Sequence, residues 1–299
     1  MPSTFSGEGS FSGVATFTSL APPNVFVLAP ANTTNTRIST NGITWSIGTL
    51  PSSGSWQSGY GDFNVVAVRS NTAIGAISTN GTTWTATTLP ASLQWSAVNF
   101  GNGRWVAVNQ NGSFAYSANG ITWTQTTRPN AGQHVAVLYA NSIWVSIAQN
   151  GTQAGSSTDG ITWTSRTTPS ANGYHGLAHD GSIFVATGFG VSASSTNGVT
   201  WTARGTLPSR GHRQLAYGNG VFVTPGYSSS AAMVSTNAVA WTENTLPSSS
   251  NWSGIAYGNG VFSINPYYAT NSATSTDGIT WTTRTLPTSG RYTKMTYAG

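Results

Sequence analysis

Short apolar runs broken by glycine and asparagine set the pattern of this chain, and no long helical periodicity competes with them. In one representative unit, Gly254-Ile-Ala-Tyr257 and Val261-Phe-Ser-Ile264 flank Gly258-Asn259-Gly260. Two apolar runs joined by Asn-Gly predict a β-hairpin, because a two-residue turn of that kind needs positive φ at both central positions. A polar stretch follows, then Ala273–Thr276, the dipeptide Asp277-Gly278, and Ile279–Thr285. Asp-Gly is a second hairpin signal. The unit therefore predicts four antiparallel strands, and Leu286-Pro287 ends the fourth. Ile279 and Trp281 are expected on one face of that strand, since side chains alternate, where the pair would fill the gap to a neighbouring unit.

The signature Ser-Thr-Asp/Asn-Gly-Ile-Thr-Trp recurs along the chain, with its tryptophans at Trp45, Trp84, Trp123, Trp163, Trp201, Trp241 and Trp281. The steps are 39, 39, 40, 38, 40 and 40 residues. A period near 40 with four strands per copy predicts an all-β fold, a seven-bladed β-propeller of four-stranded blades. Asn41, Asn80, Asn119, Asn197 and Asn237 stand where Asp159 and Asp277 stand elsewhere, so the role is hydrogen bonding across a turn rather than proton transfer. The sixth copy reads Asn237-Ala238-Val-Ala240-Trp241, and a distorted turn is expected there. The C-terminal Tyr292–Tyr297 matches a first strand, and Asn24–Pro30 matches a second. The last strand is thus expected to complete the first blade, which removes the open edge. The propeller then spans residues 21–299. Residues 1–20 are an N-terminal arm, or contribute an extra strand at Gly13–Ser19. In the alternative closure, Gly13–Phe17 is the first strand and the C-terminal strand is surplus.

The repeated signature resembles a shortened Asp-box, the Ser-x-Asp-x-Gly-x-Thr-Trp of sialidase-type propellers, with one residue missing between Asp and Gly. The resemblance runs from residue 39 onward, once per blade. Together with the hairpin Tyr257-Gly-Asn-Gly-Val-Phe262, it looks most like phage tail and bacterial surface propellers. It implies the architecture. For activity it spans sialidases, other glycosidases, photosystem-assembly factors, sorting receptors and phage tail proteins. Sialidases in addition use three clustered arginines, a Tyr–Glu pair and an early Arg-Ile-Pro; here Arg37-Ile-Ser is only a partial match.

Composition narrows the classes. Only 6% of residues are charged, with 11 Lys+Arg against 6 Asp+Glu, and there is no cysteine. No disulfide framework or thiolate chemistry is available. No dense basic cluster marks a nucleic-acid binder, and no run reaches the ~18 apolar residues of a membrane span. The N-terminus lacks a basic start and apolar core. A Ser/Thr/Asn/Gly-rich exterior without an export signal suggests a virion component, placed on a virion or extracellularly.

Three sets of side chains are candidates for binding. The first is one aromatic or imidazole per blade, Trp56, Trp95, His134, Tyr174, His212, Trp252 and Tyr292. These either ring a mouth of the channel, where flat faces would stack on sugars, or pack as a second structural layer between blades. The second is the irregular loops between second and third strands: Arg69–Gly75, Asn109–Ser113, Gln149–Gly155, Gly188–Ser192, Pro225–Ala231 and Asn265–Asn271. They carry Phe189, Tyr227, Tyr267 and Tyr268, a composition suited to recognition. The third is Arg210, His212 and Arg213 near one connection, with Arg291 and Lys294 near another. These could meet acidic groups of a capsular polysaccharide or lipopolysaccharide. Arg166, Arg204 and Arg284 read as charged protection of outer strands.

A glycosidase needs two carboxyl groups flanking one bond. Glu8, Asp62, Asp159, Asp180, Glu243 and Asp277 fall in turns, hairpins, the arm or alone on a strand. No catalytic residue, metal site or cofactor is expected. The chain reads as a non-catalytic virion protein that binds host-surface glycan through its loop face. A decoration protein docked by its N-terminal arm and a glycan hydrolase are the alternatives. The partners expected are host polysaccharide or lipopolysaccharide and other virion proteins, without nucleic acid or membrane insertion, and a homo-oligomer stays open.

Overall fold

A computed structural model describes residues 23–299, which form 28 strands numbered β1 to β28 in chain order. The expected arm or extra strand, residues 1–20, lies outside the described residues. The strands pair as seven four-stranded antiparallel sheets. In the first, β28 (Tyr292–Ala298) is innermost, followed by β1 (Val25–Pro30), β2 (Thr33–Ser39) and β3 (Ser46–Gly54). Phe26 pairs with Tyr297 and Val27 with Thr296, so the C-terminal strand closes the first blade as the spacing predicts. The other inner strands are β4 (Trp56–Gly61), β8 (Trp95–Gly101), β12 (His134–Ala140), β16 (Tyr174–His179), β20 (Ala216–Gly218) and β24 (Trp252–Gly258). Each lies beside the inner strand of the next blade, β24 against β28 and β28 against β4 included.

The core is divided into seven hydrophobic clusters, one at each junction between neighbouring blades. At the closing junction, Leu286 and Ala256 of the seventh blade meet Phe26, Leu28, Tyr292 and Met295 of the first. Burial therefore couples each blade to its neighbours, and stability is shared around the ring. Polar bridges add to it. The Thr296 hydroxyl donates to the Ser58 carbonyl at 2.9 Å and the Ser253 hydroxyl to the Tyr292 carbonyl at 2.9 Å.

The inner hairpin turns take the expected geometry. Asn259 and Gly260 both have positive φ, 48° and 74°, as do Asn219 and Gly220, and Asn102 and Gly103. The outer turns correct the reading of Asp277-Gly278. Only Gly278 has positive φ, and the turn is held by side chains: Asp277 Oδ1 accepts the N–H groups of Ile279 and Thr280 at 2.8 Å each, while Ser275 Oγ accepts that of Gly278. This lengthens the turn, and the fourth strand of that blade begins only at Thr282. Ile279 consequently sits at the turn tip, 49% exposed, and its equivalents Ile43, Ile121 and Val239 are exposed too. The tryptophan alone reaches the blade junction; Trp45, Trp84, Trp123 and Trp201 are buried. The sixth copy is not distorted. Asn237 Oδ1 still accepts from Val239 and Ala240, and Ala238 adopts φ 58° in place of glycine.

Candidate functional site

Antiparallel blades sort the connections onto two faces. The inner hairpins and the Ser-x-Asx-Gly turns share one face, and the loops entering inner strands and those between second and third strands share the other. Most of the charges divide the same way, although Arg104 stands on the hairpin face and donates to the Asp159 carbonyl. Asp62, Asp159, Asp180 and Asp277 all belong to the hairpin face. Arg69, Arg128, Arg210, Arg213 and Arg291 belong to the loop face, together with Glu243, which Arg210 neutralises through a 2.7 Å ion pair. The loop face is thus cationic without any run of basic residues, and a field of one sign over one mouth attracts the opposite charge.

On that face a continuous arc crosses four blades. Phe189, 50% exposed, and Tyr227 flank Gly211, where an added Cβ would meet both side chains within 3.7 Å. The Arg213 guanidinium stacks on the Tyr227 ring at 4.2 Å. The Ser228 hydroxyl donates to Asn251 Oδ1 at 2.6 Å, and the Tyr267 N–H donates to the Asn251 carbonyl at 2.7 Å. Tyr267 meets Tyr268 edge-on at 4.6 Å, and the Arg291 guanidinium lies 4.7 Å from the Tyr268 ring centre. Backbone bonds fix the loops, since the Tyr227 N–H donates to the Gly211 carbonyl at 2.8 Å. The structure thereby brings together Phe189, Tyr227, Tyr267, Tyr268, Arg213 and Arg291. Arg210 stands apart, committed to Glu243 and to the Ser229 hydroxyl.

The expected ring of seven is also present, but as masonry. Trp56, Trp95, His134, Tyr174, His212, Trp252 and Tyr292 are 0–1% exposed. They plug the blade junctions and bond to the incoming connection: Trp56 Nε1 donates to the Ser52 carbonyl at 3.1 Å, Trp95 Nε1 to Ala91 and Trp252 Nε1 to Ser248. No ring face is open to a sugar, so the stacking role expected of them is withdrawn. Burial holds the His134 imidazole down to about 3, with the Arg128 charge adding to it, and the His212 imidazole down to about 4, with Arg210 adding to it.

The channel is lined instead by the residue after the wedge in six of the seven blades; the seventh, Ser253, is buried against the Tyr292 carbonyl. Gln57, Ser96, Val135, His175, Arg213 and Thr293 surround a space of about 230 Å³ at the mouth. Below it lies a cavity of about 90 Å³, which Lys294 and Gln214 also border. Burial, then the Arg213 charge, hold His175 below the usual imidazole range. Sequence reasoning named Arg213 but missed the layer it belongs to, although alternation signals it: if the wedge points between blades, its successor points elsewhere. Among the described residues no carboxylate lines either space. Among the described residues no group of three or more His, Cys, Asp or Glu could hold a metal ion.

No protein-family model matches the chain, and no curated protein matches it. Solved structures do. A streptogramin B lyase matches at TM-score 0.74 and 12% identity, over 92% of each chain. Virginiamycin B lyase from Staphylococcus aureus matches at 0.69 and 14%, over 78% of this chain and 84% of that one. YCF48 bound to D1 peptide matches at 0.62 and 17%, over 88% of each. At such identity the likeness shows the fold, a β-propeller. It also corrects the expectation that the chain is not an enzyme. The lyases are enzymes carried by this fold, so the lack of a glycosidase carboxylate pair does not count against chemistry of another kind.

Proposed function

We propose that the loop face is a recognition surface for an acidic saccharide, displayed on a virion or other exterior surface. The observation that carries this reading is the arc in which Arg213 stacks on Tyr227 and Arg291 on Tyr268, beside exposed Phe189, with all four aspartates on the opposite face. Guanidinium groups pair with carboxylate or phosphate. Aromatic faces beside them cover the apolar side of a sugar ring. Stacking also holds each guanidinium in place before binding, which lowers the entropy cost of association. The sparse charge of the remaining surface supports an exterior setting in which specificity resides in this arc.

A second reading takes an acidic peptide as the ligand, and a specific comparison favours it: YCF48, a neighbour in fold, is described bound to D1 peptide. The same arc chemistry serves both. An array carrying uronate-rich, phosphorylated, sialylated and neutral glycans beside acidic peptides separates them. Retention of acidic glycans that falls with salt is the expected result. Retention confined to peptides supports the second reading, and silence toward every acidic probe overturns both.

A further inference from the structure

The chain contains one lysine, Lys294, and the repeat does not account for it. It stands two residues past the wedge Tyr292, where the other blades carry Ser58, Ala97, Ala136, Gly176, Gln214 and Gly254. Five of those six are small, as a position packed against the next blade requires. A Cβ on Gly176 would meet Leu215 at 2.9 Å, and one on Gly254 would meet the Met295 backbone at 3.1 Å. Gln214, the other long residue, ties neighbouring blades together. Its Oε1 accepts the N–H groups of Ile255 and Met295, and its Nε2 donates to the Met295 carbonyl.

Lys294 makes no such tie. The ion pair of the described residues is Arg210 with Glu243, and none of the described carboxylates lines either space that Lys294 borders, the cavity of about 90 Å³ and its neighbour of about 280 Å³. The groups facing those spaces are the imidazole of His175, the guanidinium of Arg213, the hydroxyls of Tyr60, Tyr257 and Tyr297, the amides of Gln57 and Gln214, and apolar Val137, Leu177 and Leu215. Hydroxyls of Ser58, Ser96, Thr293 and Thr296 and the amide of Asn99 complete the polar lining, and none of these groups carries the negative charge that would pair with an ammonium.

We propose that Lys294 is a carbonyl-capturing amine that forms an imine with small aldehydes or ketones entering the channel. The Nζ lone pair attacks the carbonyl carbon, and the C=O π pair moves to oxygen. Proton transfer gives a carbinolamine, and water leaves as the C=N bond forms, with no oxidant or reductant required. Lys294 is half-buried, and desolvation of its amine supports the chemistry by pushing it down to about 8. About half is then free base near pH 8, against roughly 0.4% for an ordinary lysine. Desolvation beside other cationic groups is a recognised way to activate lysine.

The test is reductive labelling of the intact protein with glyceraldehyde and cyanoborohydride across pH, read by peptide mass. The α-amine is the internal control. Lys294 should be labelled with a half-maximal rate near pH 8 in the folded protein, and near pH 10.4 after denaturation in urea. Lys294→Arg should remove that adduct and leave the α-amine adduct in place. A folded-state midpoint near 10.4, or labelling of the α-amine with Lys294 untouched, overturns the proposal. Both readouts come from the wild-type protein, so neither depends on the variant folding. Glycan retention reports on the loop arc separately.

Discussion

His134 and His212 occupy wedge positions filled by indole or phenol in the other five blades, and they should make the ring acid-sensitive. Both are fully buried. Neither ring nitrogen of His212 makes a full hydrogen bond, and His134 Nδ1 has none, while its Nε2 meets Asn130 Oδ1 at 3.1 Å. The folded-state values, about 3 for His134 and about 4 for His212, lie below the ordinary 6.5. In this window the unfolded chain binds the extra protons, so stability falls as pH falls and is fully present above about pH 7. From about pH 7.5 to about pH 5 each imidazole removes roughly 2 kcal/mol, or about 4 kcal/mol together. At ~2–4 °C per kcal/mol this is on the order of 10 °C in Tm. The perturbation is His134→Tyr with His212→Tyr, since Tyr174 and Tyr292 show that phenol fits the position. The two lie at different blade junctions, so their effects should add. Thermal melts followed by tryptophan fluorescence at both pH values are the assay. The double variant should lose much less Tm on acidification than the parent. Equal losses in parent and variant would refute the assignment of buried neutral imidazoles.

Three further outcomes follow from the turns and the channel. Asp277→Asn should change stability by less than about 0.5 kcal/mol, because five sister turns use Asn, whereas Asp277→Ala removes the acceptor for two N–H groups and should cost about 1–2 kcal/mol in urea unfolding. Gly160 has φ +71°, and an added Cβ would stand 2.8 Å from Val106 Cγ2 and 3.0 Å from Trp144 Nε1; Gly160→Ala should cost about 2–4 kcal/mol by the same measurement. Lys294 has a folded value near 8 against 10.5, so the parent should gain stability between about pH 8 and about pH 10.5, by up to about 3 kcal/mol; Lys294→Met should abolish that rise and be the more stable protein near neutrality.

The repeat made the architecture legible, because seven tryptophans at a near-constant step count the blades directly, and the match of Tyr292–Tyr297 to a first strand located the closure. Side-chain direction was less legible. Ile279 reads as a strand residue by alternation, but the Asp277 carboxylate gathers two N–H groups and prolongs the turn, which displaces Ile279 to the tip. The wedges were left between two readings for a related reason. Aromatic repetition is equally compatible with a binding ring and with junction filler, and only burial distinguishes them. The successor residues Gln57, Ser96, His175 and Arg213 differ from blade to blade, so they carry no periodic signal, although they line the channel. The Arg–Tyr stacks join residues 14 and 23 positions apart, Arg213 with Tyr227 and Tyr268 with Arg291, through loop conformations that local sequence rules do not encode.

The sharpest test of the acidic-ligand surface is calorimetric titration with a uronate oligosaccharide and with its neutral methyl ester, using the parent and an Arg213→Ala, Arg291→Ala variant whose Tm is unchanged. The parent should bind the acid at least about tenfold more tightly than the ester, equivalent to about 1.4 kcal/mol, and the variant should lose that preference. Equal affinity for acid and ester, or a preference that survives removal of both guanidinium groups, would contradict the reading.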